Sequence, residues 1–560
     1  MTRSGLIILM LLTSGCGMLY AQDSLVYESG GDLFAEKAAY NVHYYELDLK
    51  VNPEDSTITG SVDIYFKMVH PSNEIALDLD PRLKIESTEW LKAEESHNLE
   101  IRRSESDKTF FVKFPATLQP EEMIQLKVSY NGKPLVAENP PWDGGFVWSQ
   151  TPSGEPWVGV ATQTIGAWVW WPQKDHPTDK ADSVSINITM PDNLVVASNG
   201  RSGGISEAEN GWKTWHWFVS MPINNYNVTL NAAPYETIRE KYTSTSGDEM
   251  EIIFWVLPEF LEEGERLFPQ FAEQIRFLEE LIGPYPFRAD KYGVAHAPFL
   301  GMEHQSLIAY GAGFENGNLF GEVSEYDDLH QHELAHEWWG NLVTAWDWRD
   351  FWIHEGIGTY MQALYAEHLN GEEAYHESMD VLRSHIVSQT ATAPRESKTS
   401  LEITQGFRGG DVYYKGAAFL HTLRYYLGEE AFFESLRRFA YPDPAMEEVT
   451  DGSHIRFVTT DDFLTTAEKV SGQELGWLFE VYLRQADLPT LRAKRSGGIV
   501  ELNWDIPDEL KFPMPVEIAL DGDTLTIVPE NGAITFEVSD ETVVEADPDN
   551  WILKDFYLDN

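Results

Sequence analysis

Three things are scarce in this chain, and each scarcity excludes something. Only one cysteine, Cys16, occurs in 560 residues, so an intrachain disulfide framework is excluded. Positive charge is thin: Lys plus Arg is 40 against 91 for Asp plus Glu, a net charge of −51. Nucleic-acid backbones and anionic membranes would be repelled and are not expected partners. The same acidity suits a soluble exported enzyme and would attract positively charged amino termini, or it is simply a solubility device. Long apolar runs are missing as well. The longest near the start, Leu6-Ile7-Ile8-Leu9-Met10-Leu11-Leu12, is too short to span a bilayer as a mature helix.

That short run follows Arg3 and precedes Leu19-Tyr20-Ala21, which reads as a signal peptide over residues 1–21 with cleavage before Gln22. The alternative is lipoprotein processing and a lipid anchor at Cys16. Thr13 stands three positions before that cysteine, where leucine is usual, and this favours cleavage at Ala21. A periplasmic or secreted location follows. The mature chain then has no cysteine and no transmembrane segment, although export would permit disulfides. Stability must come from packed cores and the metal described below.

What the chain has is apolar mass, 42% with 13% aromatic, enough for large cores and against disorder. At this length two to four domains are expected. Residues 22–236 read as an antiparallel β domain: short alternating runs such as Tyr44-Tyr45-Glu46-Leu47-Asp48-Leu49 are broken by Pro, Gly and Asn. Over 237–489 helical periods dominate after a strand-rich start, with helices expected near 261–282, 328–336, 358–368, 416–427 and 475–484. Residues 243–248 read as a β-turn. Over 490–560 short strands return, and a small β-sandwich fits. The fold class is α+β multidomain. No internal repeat and no long low-complexity linker interrupts it.

The most informative segment reads His332-Glu333-Leu334-Ala335-His336, then eighteen residues, then Glu355. Positions i and i+4 share a helix face, so His332 and His336 can bind one zinc ion. Glu333 sits beside them, placed to act on water at the metal. Glu355 lies one connection away and can add a carboxylate oxygen. A His₂Glu set leaves the fourth position open, the ligand count of a catalytic zinc rather than a structural one. The flanks Glu337-Trp338-Trp339-Gly340-Asn341 and Trp352-Ile353-His354-Glu355-Gly356 fit a helix–loop–helix.

At this point the chain resembles a known family, the zinc aminopeptidases of the aminopeptidase N and leukotriene hydrolase kind. Residues 332–360 are similar to that family's HExxH(x18)E signature. Gly301-Met302-Glu303-His304 resembles its GxMEN exopeptidase motif, and Tyr413-Tyr414-Lys415-Gly416 its YxKG motif. Thr162-Gln163-Thr164 resembles the glutamine-bearing loop that meets the substrate's amino end. The resemblance covers about residues 40–556. It implies a saddle-like N-terminal β domain, a thermolysin-like catalytic domain and one Zn²⁺ per chain.

The resemblance also implies roles. Glu333 is the general base and later the proton donor to the leaving amine. Tyr413 donates to the oxyanion, although Tyr414 beside it is equally plausible from composition alone. Glu303 binds the free α-amino group, because a cation in a cleft wants a carboxylate. Gln163 assists as a neutral helper, and Gly301 and Met302, which flank Glu303, are counted with them as substrate-binding residues. Leu300 stands where the family usually has glycine, and His304 where it usually has asparagine. The family often adds a large C-terminal helical domain. This chain ends without one, so the substrate funnel it would form is expected to be missing.

The expectation is a zinc aminopeptidase acting on peptides with a free N-terminus. A zinc endopeptidase would share HExxH but have no use for Glu303. A non-catalytic peptide-binding relative would be free to lose Glu333 and the histidines. An epoxide-opening side activity stays open. Side-chain preference and oligomeric state are not legible.

Overall fold

The computed structural model describes residues 25–559 except 93–94, 104–106, 317–324, 406–409, 508–509, 529–532 and 540. The expected signal peptide and Cys16 lie outside them. Among the described residues no helix is long and apolar enough to cross a membrane.

The N-terminal region is built on an eight-stranded sheet. Its strand Tyr40–Asn52 buries Tyr45, Leu47, Leu49 and Val51 and turns Asp48 and Lys50 outward, the alternation of a half-buried strand. It pairs antiparallel with Thr57–Met68. On its other side it runs parallel to Ser183–Pro191, so the region is not purely antiparallel. The partner arrives after more than a hundred residues of intervening chain, a pairing that local alternation cannot reveal. Under the sheet sits a core holding Trp168, Trp170 and Trp171, all fully buried.

A five-stranded sheet opens the next region. Glu236–Thr243 and Glu249–Val256 form a hairpin closed by the expected turn, where Ser244 N donates to Asp248 O at 2.9 Å. Gly301–Met302 is the edge strand, paired with Ile308–Tyr310. Helices cover the sheet. The span expected near 261–282 is two helices, Leu261–Leu267 and α1 (Pro269–Leu281), because Pro269 removes a backbone donor and starts a new helix. Then come α2 (Asp328–Ala335), α3 (Trp352–Asn370) and α4 (Tyr414–Leu427).

The connection from α2 to α3 is more than a loop. Val343–Ala345 pairs in parallel with Arg456–Val458, again a partner far along the chain. The C-terminal strands form a four-stranded and a three-stranded sheet. Their apolar faces, with Val500, Leu502, Val516 and Ile518, share one continuous core with the helical region.

Candidate active site

Helix α2 starts cleanly because the Asp327 side chain accepts from His330 N at 2.8 Å. It stops at Ala335, and His336 sits on its tightened last turn, where Glu337 N donates back to Leu334 O. Glu355 lies in the first turn of α3. The two helices bring His332 Nε2 and His336 Nε2 to 3.1 Å, with Glu355 Oε2 at 3.5 and 3.4 Å from them. All three side chains are buried.

The ring tautomers explain what this cluster can hold. His336 Nδ1 lies 2.9 Å from Trp339 O, and His332 Nδ1 lies 3.2 Å from Gln362 Oε1. Both partners are acceptors, so both Nδ1 atoms carry the hydrogen. Each Nε2 then presents a lone pair to the other, and Glu355 adds a third. Only a shared cation, or a proton standing in for one, satisfies that arrangement. The electrostatics agree. Burial disfavours charge on His336, yet Glu355, Glu303 and Glu333 together raise its pKa to about 10. Burial also works against Glu355, but the two histidines hold it well below the ordinary carboxylate range. The donor set is that of a catalytic zinc.

Glu333 points toward the edge strand. A Cβ at Gly301 would lie 2.5 Å from its Oε1 and 3.1 Å from Leu329 Cδ1, so a side chain here would displace the Glu333 carboxylate. Burial, and then the Glu303 carboxylate, push Glu333 well above the usual range. Tyr413 precedes α4, and its position depends on two glycines. A Cβ at Gly356 would meet Gly416 Cα at 2.9 Å, and the reverse holds too, so α3 and α4 cross backbone to backbone. That crossing sets the Tyr413 ring 6.1 Å from His332, near parallel, with its hydroxyl bonded to Glu355. Burial and Glu355 raise its pKa well above 10, so it stays a donor. Tyr414 lines the same cavity, and its ring packs against His385 with centroids 5.3 Å apart. Lys415 turns away, its Nζ donating to Gln485 O and Ala486 O at 2.9 and 2.7 Å.

Glu303 follows the edge strand and is 3% exposed. Its Oε1 accepts from Gln163 Nε2 and, at 3.1 Å, from the Tyr226 hydroxyl. Gln163 Nε2 also lies 3.1 Å from Glu355 Oε1. Burial raises Glu303 to about 7, with His336 opposing and Glu355 adding. The cavity over these groups measures about 660 Å³. Three carboxylates, Glu303, Glu333 and Glu355, face it, and no lysine or arginine is among its described lining residues. Among the described residues, positive charge is lacking at two places, the histidine cluster and Glu303.

The structure therefore brings together every residue singled out from sequence. Met302 is the least engaged, packed with Phe299, Ala297 and Ala309. The two departures have different fates. Leu300 serves through its carbonyl, which accepts from Gly311 N at 2.8 Å. His304 is fully buried, and neither ring nitrogen has a partner among the described residues.

Three contributors escaped sequence reasoning. Tyr226 touches Glu303 from the N-terminal region, and nothing in Asn225-Tyr226-Asn227 marks it. Gln362 sits two turns along α3 from Glu355, a position that helical spacing could have suggested. Asn341 donates to Glu303 O and to Glu337 Oε2, both at 3.1 Å, while Glu337 Oε1 accepts from Ser306 N at 2.8 Å. That pair ties the Glu303 turn to the segment after the zinc histidines, and its place there was the available clue.

Comparison with known proteins places this arrangement. Glutamyl aminopeptidase of Homo sapiens is 24% identical over 491 residues, covering 82% of this chain and 48% of its own length. Leucine aminopeptidase 2 of Vanderwaltozyma polyspora is 27% identical over 348 residues, 60% of this chain and 49% of its own. The chain thus spans about half the length of these curated relatives. A mutant of the M1 zinc metallopeptidase from Deinococcus radiodurans superposes with a TM-score of 0.64 at 25% identity, over 80% of this chain and 96% of that one. The Peptidase M1 N-terminal domain matches residues 41–226 and the Peptidase family M1 domain residues 270–482. Both halves of the site fall on those two matches, in the same order along the sequence, and the chain belongs to peptidase family M1.

Proposed function

We propose that this chain is a zinc-dependent aminopeptidase that removes residues from the free N-termini of peptides. The observation that carries the reading is the buried Glu303 carboxylate, which no lysine or arginine answers among the described lining residues of the cavity. The zinc cluster accounts for one missing cation. A substrate ammonium between Glu303 and Gln163 would account for the other, beside the zinc ligand Glu355 that Gln163 also bonds. That geometry favours an exopeptidase over an endopeptidase, which has no cation to offer there. The names of the aminopeptidase relatives support the same reading.

Zinc on His332, His336 and Glu355 supplies a Lewis acid toward water and the scissile carbonyl. The rest is the work of side chains. Glu333 takes the proton of the attacking water at its carboxylate oxygen and returns it to the leaving amine. Burial raises its affinity for that proton, which helps it hold the proton between the two steps. The Tyr413 hydroxyl donates to the oxyanion as charge develops. Glu303, steadied by Gln163 and Tyr226, fixes the ammonium and with it the register of the first peptide bond.

Residues 1–21 support export with cleavage after Ala21. The mass of the mature chain decides between that and a lipid on Cys16.

Aminoacyl chromogenic substrates with free and acetylated amines test the main reading. Truncating one partner of a buried charge pair costs about 2–5 kcal/mol. Glu303→Ala should therefore lower kcat/KM by about 30-fold or more for free-amine substrates, by the same conversion. Acetylated substrates should be poor for the unaltered enzyme. Efficient cleavage of an acetylated or internal bond would instead establish an endopeptidase.

A further inference from the structure

Residues 27–31 cross the seam between the N-terminal β region and the helical region, and they are held on both sides. On the N-terminal side Tyr27 stacks on Trp168, with ring centroids 5.4 Å apart. Glu28 O accepts from Lys108 Nζ at 2.7 Å and from Trp168 Nε1 at 3.2 Å. Ser29 Oγ donates to Asp175 Oδ1 at 2.7 Å.

On the helical side Gly30 forms an isolated antiparallel bridge with Thr399. Ser29 O accepts from Ser400 N at 3.0 Å, and Ser29 N donates to Ser400 Oγ at 2.8 Å. Gly30 has φ +82°, and a Cβ there would lie 2.5 Å from Trp348 Cδ1. The segment is a strap pressed flat against the indole.

From this strap two contact paths lead to the same carboxylate. Along the first, the Ser400 hydroxyl that accepts from Ser29 donates onward to Thr164 O. Thr164 follows Gln163, whose amide bonds Glu303. Along the second, the Trp348 indole that Gly30 touches faces the Tyr226 ring at 6.4 Å, and the Tyr226 hydroxyl bonds Glu303. Thr162 Oγ1 donates to Tyr226 O at 3.2 Å and joins the two paths. A void of about 30 Å³ borders Ser29, Tyr226 and Trp348, so the tyrosine has room to shift if the indole does. Ser400 is fully buried, and among the described residues both bonds of its hydroxyl are to protein backbone, from Ser29 N and to Thr164 O. It acts only through what it holds.

We propose that the strap of residues 27–31 is a positioning element for the amine-binding corner, acting on Gln163 through Ser400 and on Tyr226 through Trp348. The proposal rests on the aminopeptidase reading, since it assigns Glu303 to the ammonium. It makes ammonium binding, and not the proton transfers at Glu333, the step that depends on the strap. The strap bears on the two helpers of Glu303 and, among the bonds of the described residues, reaches a zinc ligand only through Gln163, whose amide also lies 3.1 Å from Glu355 Oε1, so the two histidine ligands should keep the metal in place.

The test is steady-state kinetics on the zinc-loaded, full-length mature enzyme carrying Ser400→Ala or Gly30→Ala. Ser400→Ala cuts the first path, and Gly30→Ala drives a methyl against Trp348 on the second. Each should raise KM for free-amine substrates about three- to tenfold, an indirect effect of the size of about one hydrogen bond's net contribution, with a smaller change in kcat. Zinc content should stay at one per chain. The double variant should lose less than the product of the two single effects, because both paths end on Glu303.

A control in Glu303→Gln separates the two readings. If Glu303→Gln itself leaves KM unaltered, the amine assignment falls and this proposal with it. If Glu303→Gln raises KM while folded, zinc-loaded Ser400→Ala and Gly30→Ala do not, the strap proposal alone is overturned. Equal losses in kcat with falling zinc content would also overturn it, by assigning the strap a purely structural role.

Discussion

The two corners of the active site are assembled in different ways. The metal corner takes its three ligands from residues 332–355, on two helices consecutive in the chain. The amine corner takes Gln163, Tyr226 and Glu303, whose bonded pairs are separated by 140 and 77 residues. The first needs only helical periodicity and one connection. The second exists only if the N-terminal region docks correctly on the helical one. A local corner should tolerate disturbance at the seam, and a distributed corner should not. On the proposed function, the contrast would also divide the chemistry: metal and proton transfer on the local side, substrate recognition on the docked side.

The sharpest way to break this division is at the metal. His336→Ala leaves His332 and Glu355 as a two-ligand remnant, and should lose zinc and reduce peptide hydrolysis to the assay limit. Metal analysis together with activity checks it. Full zinc occupancy in that variant would mean that the ligands lie elsewhere. Next comes the base. Glu333→Gln keeps the shape against Gly301 and removes the proton acceptor, so turnover should fall by about 10²–10⁴ with zinc retained. Zinc lost along with turnover would move Glu333 from the proton path to the metal's support.

The same contrast explains what was legible beforehand. His332 and His336 follow from spacing on a helix face, Glu333 from its place beside them and Glu355 from its position one connection later, and geometry then adds the distances. The edge strand with Gly301, Met302 and Glu303 was found through resemblance, because nothing local distinguishes that glutamate from a solvated one. Tyr226 was not found at all. Its neighbours carry no pattern, and its role arises from docking. The β regions were legible as alternation, yet the parallel pairing of Tyr40–Asn52 with Ser183–Pro191 was not, since register between distant strands leaves no local trace. The strand Val343–Ala345 hid inside an expected loop for the same reason.

Tyr413 stands between the corners, reached by the crossing of Gly356 and Gly416. Tyr413→Phe deletes one donor and leaves the ring on His332. Turnover should fall by about 10²–10³ with KM little changed, the usual cost of one oxyanion donor. Near-normal turnover would hand the role to Tyr414 or to no tyrosine.

The smallest expected effect is the one that sharpens the comparison most. Tyr226 belongs wholly to the docked side: it is buried, its hydroxyl bonds Glu303, and it makes no contact with the zinc ligands in the bonding described. Tyr226→Phe keeps the ring against Trp348 and removes one hydrogen bond to a carboxylate. Such bonds to charged groups contribute about 1.5–3 kcal/mol, and because Gln163 still bonds Glu303 the lower end applies, so kcat/KM for free-amine substrates should drop by about tenfold. The loss should appear in KM, because the bond steadies the ammonium site before and during the reaction alike. Zinc content should be unchanged. Residual cleavage of an acetylated substrate should also be unchanged, because that substrate has no ammonium for the steadied carboxylate to hold. If acetylated and free-amine substrates lose equally, Tyr226 serves the metal corner as well, and the division between a local and a docked corner fails at the residue that was meant to define it.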